Sequence, residues 1–395
     1  MRGLVVSADW KPKAGYQVTA EEEMSGRVRL ANMVLHNPTL SVADRPDAQL
    51  SGEHDVLIRN VTSGICGSDL HMVTSDEDGY MDLPAPFRVP VALGHENSGQ
   101  VVEVGSAVTR VRPGDLVAVE AQVECGTCRA CLRGLTAACE RLWDRGFTLD
   151  GGTATMSVAH ERHCWPLTAV ADRHGERKAY DIGALIEPSS VAYNGMVNRA
   201  GGFRPGDTVA VFGAGPIGLA AVGLANALGA GRVLALDPSA SKREIASALG
   251  ATETFDPTAG EAGQWLLDRT GGAGVDMALD ATGAGRIVMP AIVPAIAVGG
   301  KIVSLGANMA PVEVDTIKLM FRAASIYFTL GHLGGGFPAV IALHAAGKLD
   351  LTKMITGRFA LDDGVAAMER ALKGQDAKIL IHPHGVDAYP KAVSQ

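Results

Sequence analysis

Thr208-Val209-Ala210-Val211-Phe212-Gly213-Ala214-Gly215-Pro216-Ile217-Gly218 is an apolar run that breaks into G-x-G-x-x-G. The run suits a short buried strand, and Pro216–Leu228, rich in alanine and leucine, suits a helix directly after it. In that setting the glycines have separate roles. Gly213 permits a tight turn, Gly215 lets the backbone approach a pyrophosphate, and Gly218 lets the helix pack close to the strand. Pro216 fits the first helical turn, where a missing N–H costs nothing. The helix start then offers free N–H groups and a positive dipole end to phosphates, with Ile217 in the same turn.

Asp237 closes the next predicted strand, Arg232–Leu236, roughly 20 residues beyond Gly215. A carboxylate there accepts hydrogen bonds from ribose hydroxyls and repels a 2′-phosphate, which favours NAD over NADP. Lys242 and Arg243 lie close by and offset part of that repulsion, so NADP stays open. A glycine-rich turn with an incidental capping Asp is the plain alternative. Strand, helix and acid all in place argue against it.

Working outward, the rhythm continues with a helix over Ser241–Leu249, a strand over Val275–Asp280, a helix over Arg286–Val298 and a strand over Lys301–Leu305. Strands alternating with helices of this length predict βαβ units and a doubly wound parallel sheet. The pattern breaks at Gly334-Gly335-Gly336. A closing tail ends in the strand-like Lys378–His382, and the last residues are expected to fray. Before about residue 187 the chain reads as mostly β, in short stretches such as Asp55–Val61, Ser98–Val104 and Asp115–Val119. Arg112-Pro113-Gly114-Asp115 and Arg204-Pro205-Gly206-Asp207 are one turn phrase used twice, with Pro then Gly at the centre of a type II turn.

At 395 residues the chain exceeds one simple core, and two domains are expected. A net charge of −8 argues against nucleic-acid or anionic-membrane partners. The sequence has no apolar run long enough to span a bilayer and no N-terminal signal pattern, and a cytoplasmic location is expected.

Four of the six cysteines, Cys125, Cys128, Cys131 and Cys139, follow C-x2-C-x2-C-x7-C. That spacing suits four thiolates on one tetrahedral Zn²⁺, a closed structural site. Cys66 and Cys164 are left over, too few for a disulfide framework. Cys66 stands in Gly64-Ile65-Cys66-Gly67-Ser68-Asp69-Leu70-His71, and two further segments, Gly94-His95-Glu96 and Leu185-Ile186-Glu187-Pro188, carry residues of matching chemistry. Cys66, His95 and a carboxylate would give Zn²⁺ three ligands and an open fourth position for water or substrate. Taken singly, each residue has an ordinary explanation as a small buried thiol or a turn residue. Spacing alone does not bring the three segments together.

Jointly these motifs, with Asp280-Ala281-Thr282-Gly283, closely resemble the zinc-dependent medium-chain alcohol and polyol dehydrogenases over nearly the whole chain. The resemblance implies an α/β protein: a GroES-like β-barrel catalytic domain over 1–188, a Rossmann NAD-binding domain over 189–330, and a segment 331–395 returning to the catalytic domain. It implies zinc at Cys66 and His95, with Glu96 and Glu187 as carboxylates that reach the metal directly or through water. By the same carry-over, Ser68 takes the substrate proton, His71 relays it to solvent, and Thr282 belongs to the cofactor site. A homodimer or homotetramer is implied as well.

The extended N-terminal segment with Glu21-Glu22-Glu23, the acidic stretch Asp76-Glu77-Asp78-Gly79-Tyr80, and Gly331-His332 are similar to a bacterial subgroup acting on cyclitols of the inosose type. Carboxylates near the site mouth would suit a polyhydroxylated substrate, although an acidic loop that simply faces water is equally expected. Sorbitol-like and L-threonine 3-dehydrogenases share the same ligand set. A zinc-ribbon binding protein and a catalytically dead relative are the alternatives of another kind. The acidic charge and the second metal set speak against the first, and intact Cys66, Ser68, His71 and His95 against the second.

Overall fold

The chain from Thr208 to Phe328 alternates as expected, and its strands form one six-stranded parallel sheet. The structure, a computed structural model, describes residues 1–332 and 335–390. Gly334, part of the expected glycine break, and residues 391–395 of the tail expected to fray lie outside the described residues. Two units emerge. The first comprises Met1–Arg133, Cys139–Glu187 and the chain from Ile355; the second comprises Gly134–Ala138 and Pro188–Met354.

In the second unit the sheet runs Glu253–Phe255, Arg232–Leu236, Thr208–Phe212, Val275–Asp280, Ile296–Ser304, Ser325–Phe328. Numbered by appearance, that is the order 3-2-1-4-5-6 of a dinucleotide-binding fold, with its switch point between Thr208–Phe212 and Val275–Asp280. Both strands are buried along nearly their whole length, as central parallel strands must be. The helix Pro216–Ala227 follows the first strand as predicted. The predicted helix over Arg286–Val298 is shorter, Gly285–Ala295, because the β-branched Ile296 and Val298 enter the strand Ile296–Ser304. Residues up to Met354 stay with this unit, where Leu349 and Leu351 pack against Gly223 of the Pro216–Ala227 helix.

The first unit is built on a seven-stranded sheet. Its path runs Cys164–Pro166, Leu116–Val119, Glu96–Val104, Asp55–Gly64, Lys378–His382, Ile355–Ala360, with Met156–His160 also paired to Asp55–Gly64. Val56, Ile58, Val101, Val117 and Val119 make one core beneath it. The strand Asp55–Gly64 runs three residues beyond the predicted Val61 and so delivers Cys66 directly after its end. The two turn phrases recur as read. Gly114 and Gly206 take φ of 97° and 94°. In each, the Asp side chain accepts the N–H of the leading Arg, at 2.9 Å for Arg112 and 2.7 Å for Arg204.

Candidate active site and metal centres

The ligand atoms of Cys66, His95 and Glu96 all lie within 4.8 Å of one another. Three local decisions produce this. Cys66 caps the short helix Gly67–His71 at the end of the strand Asp55–Gly64. Glu96 opens the neighbouring strand Glu96–Val104 and pairs in register with Gly64. His95 directly precedes it. Asp69, almost fully buried, then ties the pieces together: it accepts the Cys66 N–H at 2.8 Å and places Oδ1 3.5 Å from His95 Nδ1. That contact turns His95 Nε2 inward, where it lies 3.3 Å from Ser68 Oγ.

The electrostatics suit a cation. Burial disfavours charge on His95, yet Asp69 and the Cys66 sulfur outweigh it and hold the imidazole pKa well above its ordinary range. A divalent ion facing Nε2 would meet the same negative surroundings in place of a proton. Glu96 Oε1 is buried with no hydrogen-bond partner among the described residues, as a carboxylate oxygen aimed at a metal would be. Glu96 also forms a fully buried ion pair with Lys378, whose Nζ donates to the Ile65 carbonyl at 2.9 Å. Glu187, buried in the helix Ile186–Tyr193, stands outside the three-residue group. His71, on the Ser68 helix, is half exposed, with Nδ1 3.2 Å from Asp82.

The four-cysteine lobe has a different geometry. Its sulfurs also lie within 4.8 Å of one another. Sγ–Sγ separations are 4.0 Å for Cys125–Cys131, 3.5 Å for Cys128–Cys131 and 3.9 Å for Cys128–Cys139. Four sulfurs at tetrahedral Zn–S distances stand about 3.8 Å apart, so the cage fits zinc. Backbone N–H groups of Cys125 and Cys128 donate to the sulfurs of Cys139 and Cys125, both at 3.3 Å. The N–H groups of Thr127 and Cys128 hold the Cys125 thiol down at about 5. Burial and neighbouring sulfurs push Cys131 up to about 12. A cation is what lets all four ionise together. Cys164, the sixth cysteine, is fully buried, and burial pushes its thiol up to about 12, so it behaves as a core residue.

The second unit holds a cavity of about 920 Å³ at the switch point of its sheet, lined by Gly213, Gly215, Asp237, Pro238, Thr258 and Thr282 among others. A side chain at Gly215 would meet nothing within 4 Å, whereas one at Gly218 would run into the Gly213 carbonyl. The helix above carries Pro216 at its start and no side-chain cap. Asp237 accepts N–H groups of Ala214 at 2.7 Å and Ser239 at 2.8 Å, fixing its carboxylate at the rim. Thr282 is fixed by Asp280, which accepts both its N–H and its hydroxyl. These features fit a dinucleotide: an open approach over Gly215, bare helix N–H groups and a rigid acid. Gly218 acts from behind the wall, and Pro216, Ile217, Lys242 and Arg243 do not line the cavity.

Asp69 and Lys378 escaped the sequence reading. The spacing of Cys66 to Asp69, a capping interval, was the available signal for the first. Nothing local marks Lys378. The acidic segments also resolve. Glu22 is buried at 2% exposure and binds Tyr16, Thr19 and Arg29, so it organises the N-terminal segment. Asp76 pairs with Lys13 at 2.9 Å and accepts the N–H of Tyr80, while Glu77 and Asp78 face solvent.

Two family descriptions match the chain: "Alcohol dehydrogenase GroES-like domain" over residues 52–169 and "Zinc-binding dehydrogenase" over 216–346. Scyllo-inosose 3-dehydrogenase of Thermotoga maritima is 34% identical, covering 92% of this chain and 94% of its own. D-xylulose reductase A of Aspergillus niger is 33% identical, covering 87% and 93%. A solved Thermotoga maritima chain, provisionally described as an alcohol dehydrogenase, superposes with a TM-score of 0.93 at 32% identity, covering 96% of this chain and 99% of that one.

Proposed function

The chain belongs to the zinc-dependent alcohol and polyol dehydrogenases, and on that premise we propose that it interconverts a ring hydroxyl and a ketone on a cyclitol of the inosose type, with NAD as hydride carrier. It is an oxidoreductase of GroES-like and Rossmann-type architecture that works with zinc and a nicotinamide cofactor. The convergence of Cys66, His95 and Glu96 into one group carries the reading of the site. The cyclitol substrate is supported by the 34% identical inosose relative, matched over almost its whole length. An open-chain polyol is the second reading, supported by the xylulose reductase relative.

In this reading Cys66, His95 and Glu96 hold the catalytic zinc, Glu187 is a further carboxylate within its reach, and the four cysteines hold a second, structural zinc. When bound, the catalytic ion supplies Lewis-acid polarisation of the substrate oxygen. Asp69 orients His95. Ser68 accepts the substrate hydroxyl proton, and the exposed His71, steadied by Asp82, passes it to solvent. A bound nicotinamide dinucleotide would supply the hydride acceptor for the carbinol hydrogen; Gly215 would leave room for its pyrophosphate and Asp237 would accept hydrogen bonds from its adenosine ribose.

A homodimer or homotetramer is part of the proposal. It is supported by the edge strand Ser325–Phe328 and by Phe321, Phe328 and Leu330, which are 79%, 67% and 65% exposed. A reducing, cytoplasmic setting suits the crowded thiols of the lobe. A kinetic panel of inositols, scyllo-inosose, sorbitol, xylitol and L-threonine with NAD and NADP tests the reading. A cyclitol should lead in kcat/KM by about tenfold or more. A lead for xylitol, sorbitol or threonine moves the substrate elsewhere, and no turnover on any member overturns the reading.

A further inference from the structure

Two turns border the cavity of the second unit: Asp237-Pro238 after the strand Arg232–Leu236, and Pro257-Thr258 after Glu253–Phe255. Arg243, on the helix Ala240–Ala248, spans them. Its Nη1 donates to the carbonyls of Asp237 at 2.7 Å and Pro238 at 2.9 Å, and lies 3.2 Å from Asp256 Oδ2. The other oxygen of Asp256 accepts the N–H of Thr258 at 2.9 Å and its hydroxyl at 2.6 Å. Both carboxylate oxygens are thereby engaged. The Thr258 hydrogen bonds and then the Arg243 charge hold this carboxyl below its ordinary range, so it is ionised at neutral pH.

An arginine beside the ribose is the natural partner for a 2′-phosphate, through charge-assisted and often bidentate hydrogen bonds. Here the guanidinium is directed at two carbonyls and a carboxylate. We propose that Asp256 is a cofactor-specificity residue that withholds Arg243 from the 2′-phosphate of NADP. Discrimination against NADP then rests on two acids with different roles: Asp237 repels the phosphate, and Asp256 neutralises the cation that would welcome it. This inference rests on reading the cavity as the adenosine end of the nicotinamide cofactor site.

Asp256→Asn retains an acceptor for Thr258 and removes the charge, and Asp256→Ser is a second variant should the first fold poorly. Calorimetric affinities for AMP and 2′,5′-adenosine diphosphate are measured on the full-length, zinc-loaded protein, beside kcat/KM with NAD and NADP. The preference for 2′,5′-adenosine diphosphate over AMP should rise about tenfold in Asp256→Asn, a difference near 1.4 kcal/mol. Adding Arg243→Gln should abolish the gain, and NADP use should follow the same order. Unchanged preference with normal AMP binding overturns the clamp alone. A gain that survives Arg243→Gln also overturns it, since the effect would then be bulk charge. Failure of AMP to bind the unmodified protein overturns the cofactor-site reading and the clamp together.

Discussion

The four-cysteine lobe and the Cys66–His95–Glu96 group are both clusters of ligand-type atoms within 4.8 Å, yet they are built by opposite means. The lobe draws four identical donors from one short loop and wraps them in its own backbone N–H groups. The other group draws a thiol, an imidazole and a carboxylate from two adjoining strands, and leans on Asp69 and on Lys378 from the far end of the chain. A saturated cage of like ligands leaves no position for a substrate. A mixed set of three does. In the proposed reading, local assembly makes a staple, and assembly across the sheet makes a reaction site.

The largest separation between the two should come from single ligand substitutions. Cys66→Ser or His95→Ala should lower kcat by more than about a thousandfold, because several kcal/mol of transition-state stabilisation goes with the metal. NAD affinity and melting temperature should change little. Cys128→Ser should do the reverse first, lowering the melting temperature while the folded fraction retains turnover. Metal analysis should show one zinc lost per chain in each case. If Cys128→Ser abolishes turnover without loss of stability, the contrast fails.

Next in size is Lys378→Met, which leaves the Glu96 charge buried without its partner. It should cost about 3–5 kcal/mol in denaturant unfolding. The double variant Glu96→Gln/Lys378→Met should recover most of that. No recovery would mean that Lys378 contributes through packing alone.

Ser68→Ala should lower kcat about a hundredfold with both metals retained, the usual scale for a lost proton acceptor. His71→Ala should have a smaller effect that exogenous imidazole partly restores. The smallest effect belongs to Arg141→Ala. Arg141 Nη2 donates to Cys125 Sγ at 3.4 Å, so its loss should speed transfer of the lobe's zinc to a chelator by about tenfold, with kcat unchanged.

How much was legible follows the same divide. The strands Arg232–Leu236, Val275–Asp280 and Lys378–His382 lie where the apolar runs end, because central strands must be apolar on both faces. The short strands Glu253–Phe255 and Ser325–Phe328 were not legible. They lie at the two edges of their sheet and are only partly buried, so their sequences carry little pattern. At the site, the cysteine spacing and the glycine fingerprint are local and could be read directly. Cys66, His95 and Glu96 needed the family resemblance. Lys378 acts on a segment distant in sequence, and the Arg243–Asp256 contact joins two separate elements that no local motif links, so both needed the fold itself.

The position of Lys378 has a consequence for the order in which the protein is made. It supports the Cys66 segment across 313 positions of sequence, and its strand pairs with Gly64 and Ser63. During synthesis the lobe cysteines and the whole parallel sheet leave the ribosome before that lysine does. The staple can therefore close on a nascent chain, while Glu96 waits, without its counter-charge, for a segment translated long after it. Premature termination between residues 139 and 378 would yield a chain that keeps all four lobe cysteines but lacks the buried partner of Glu96.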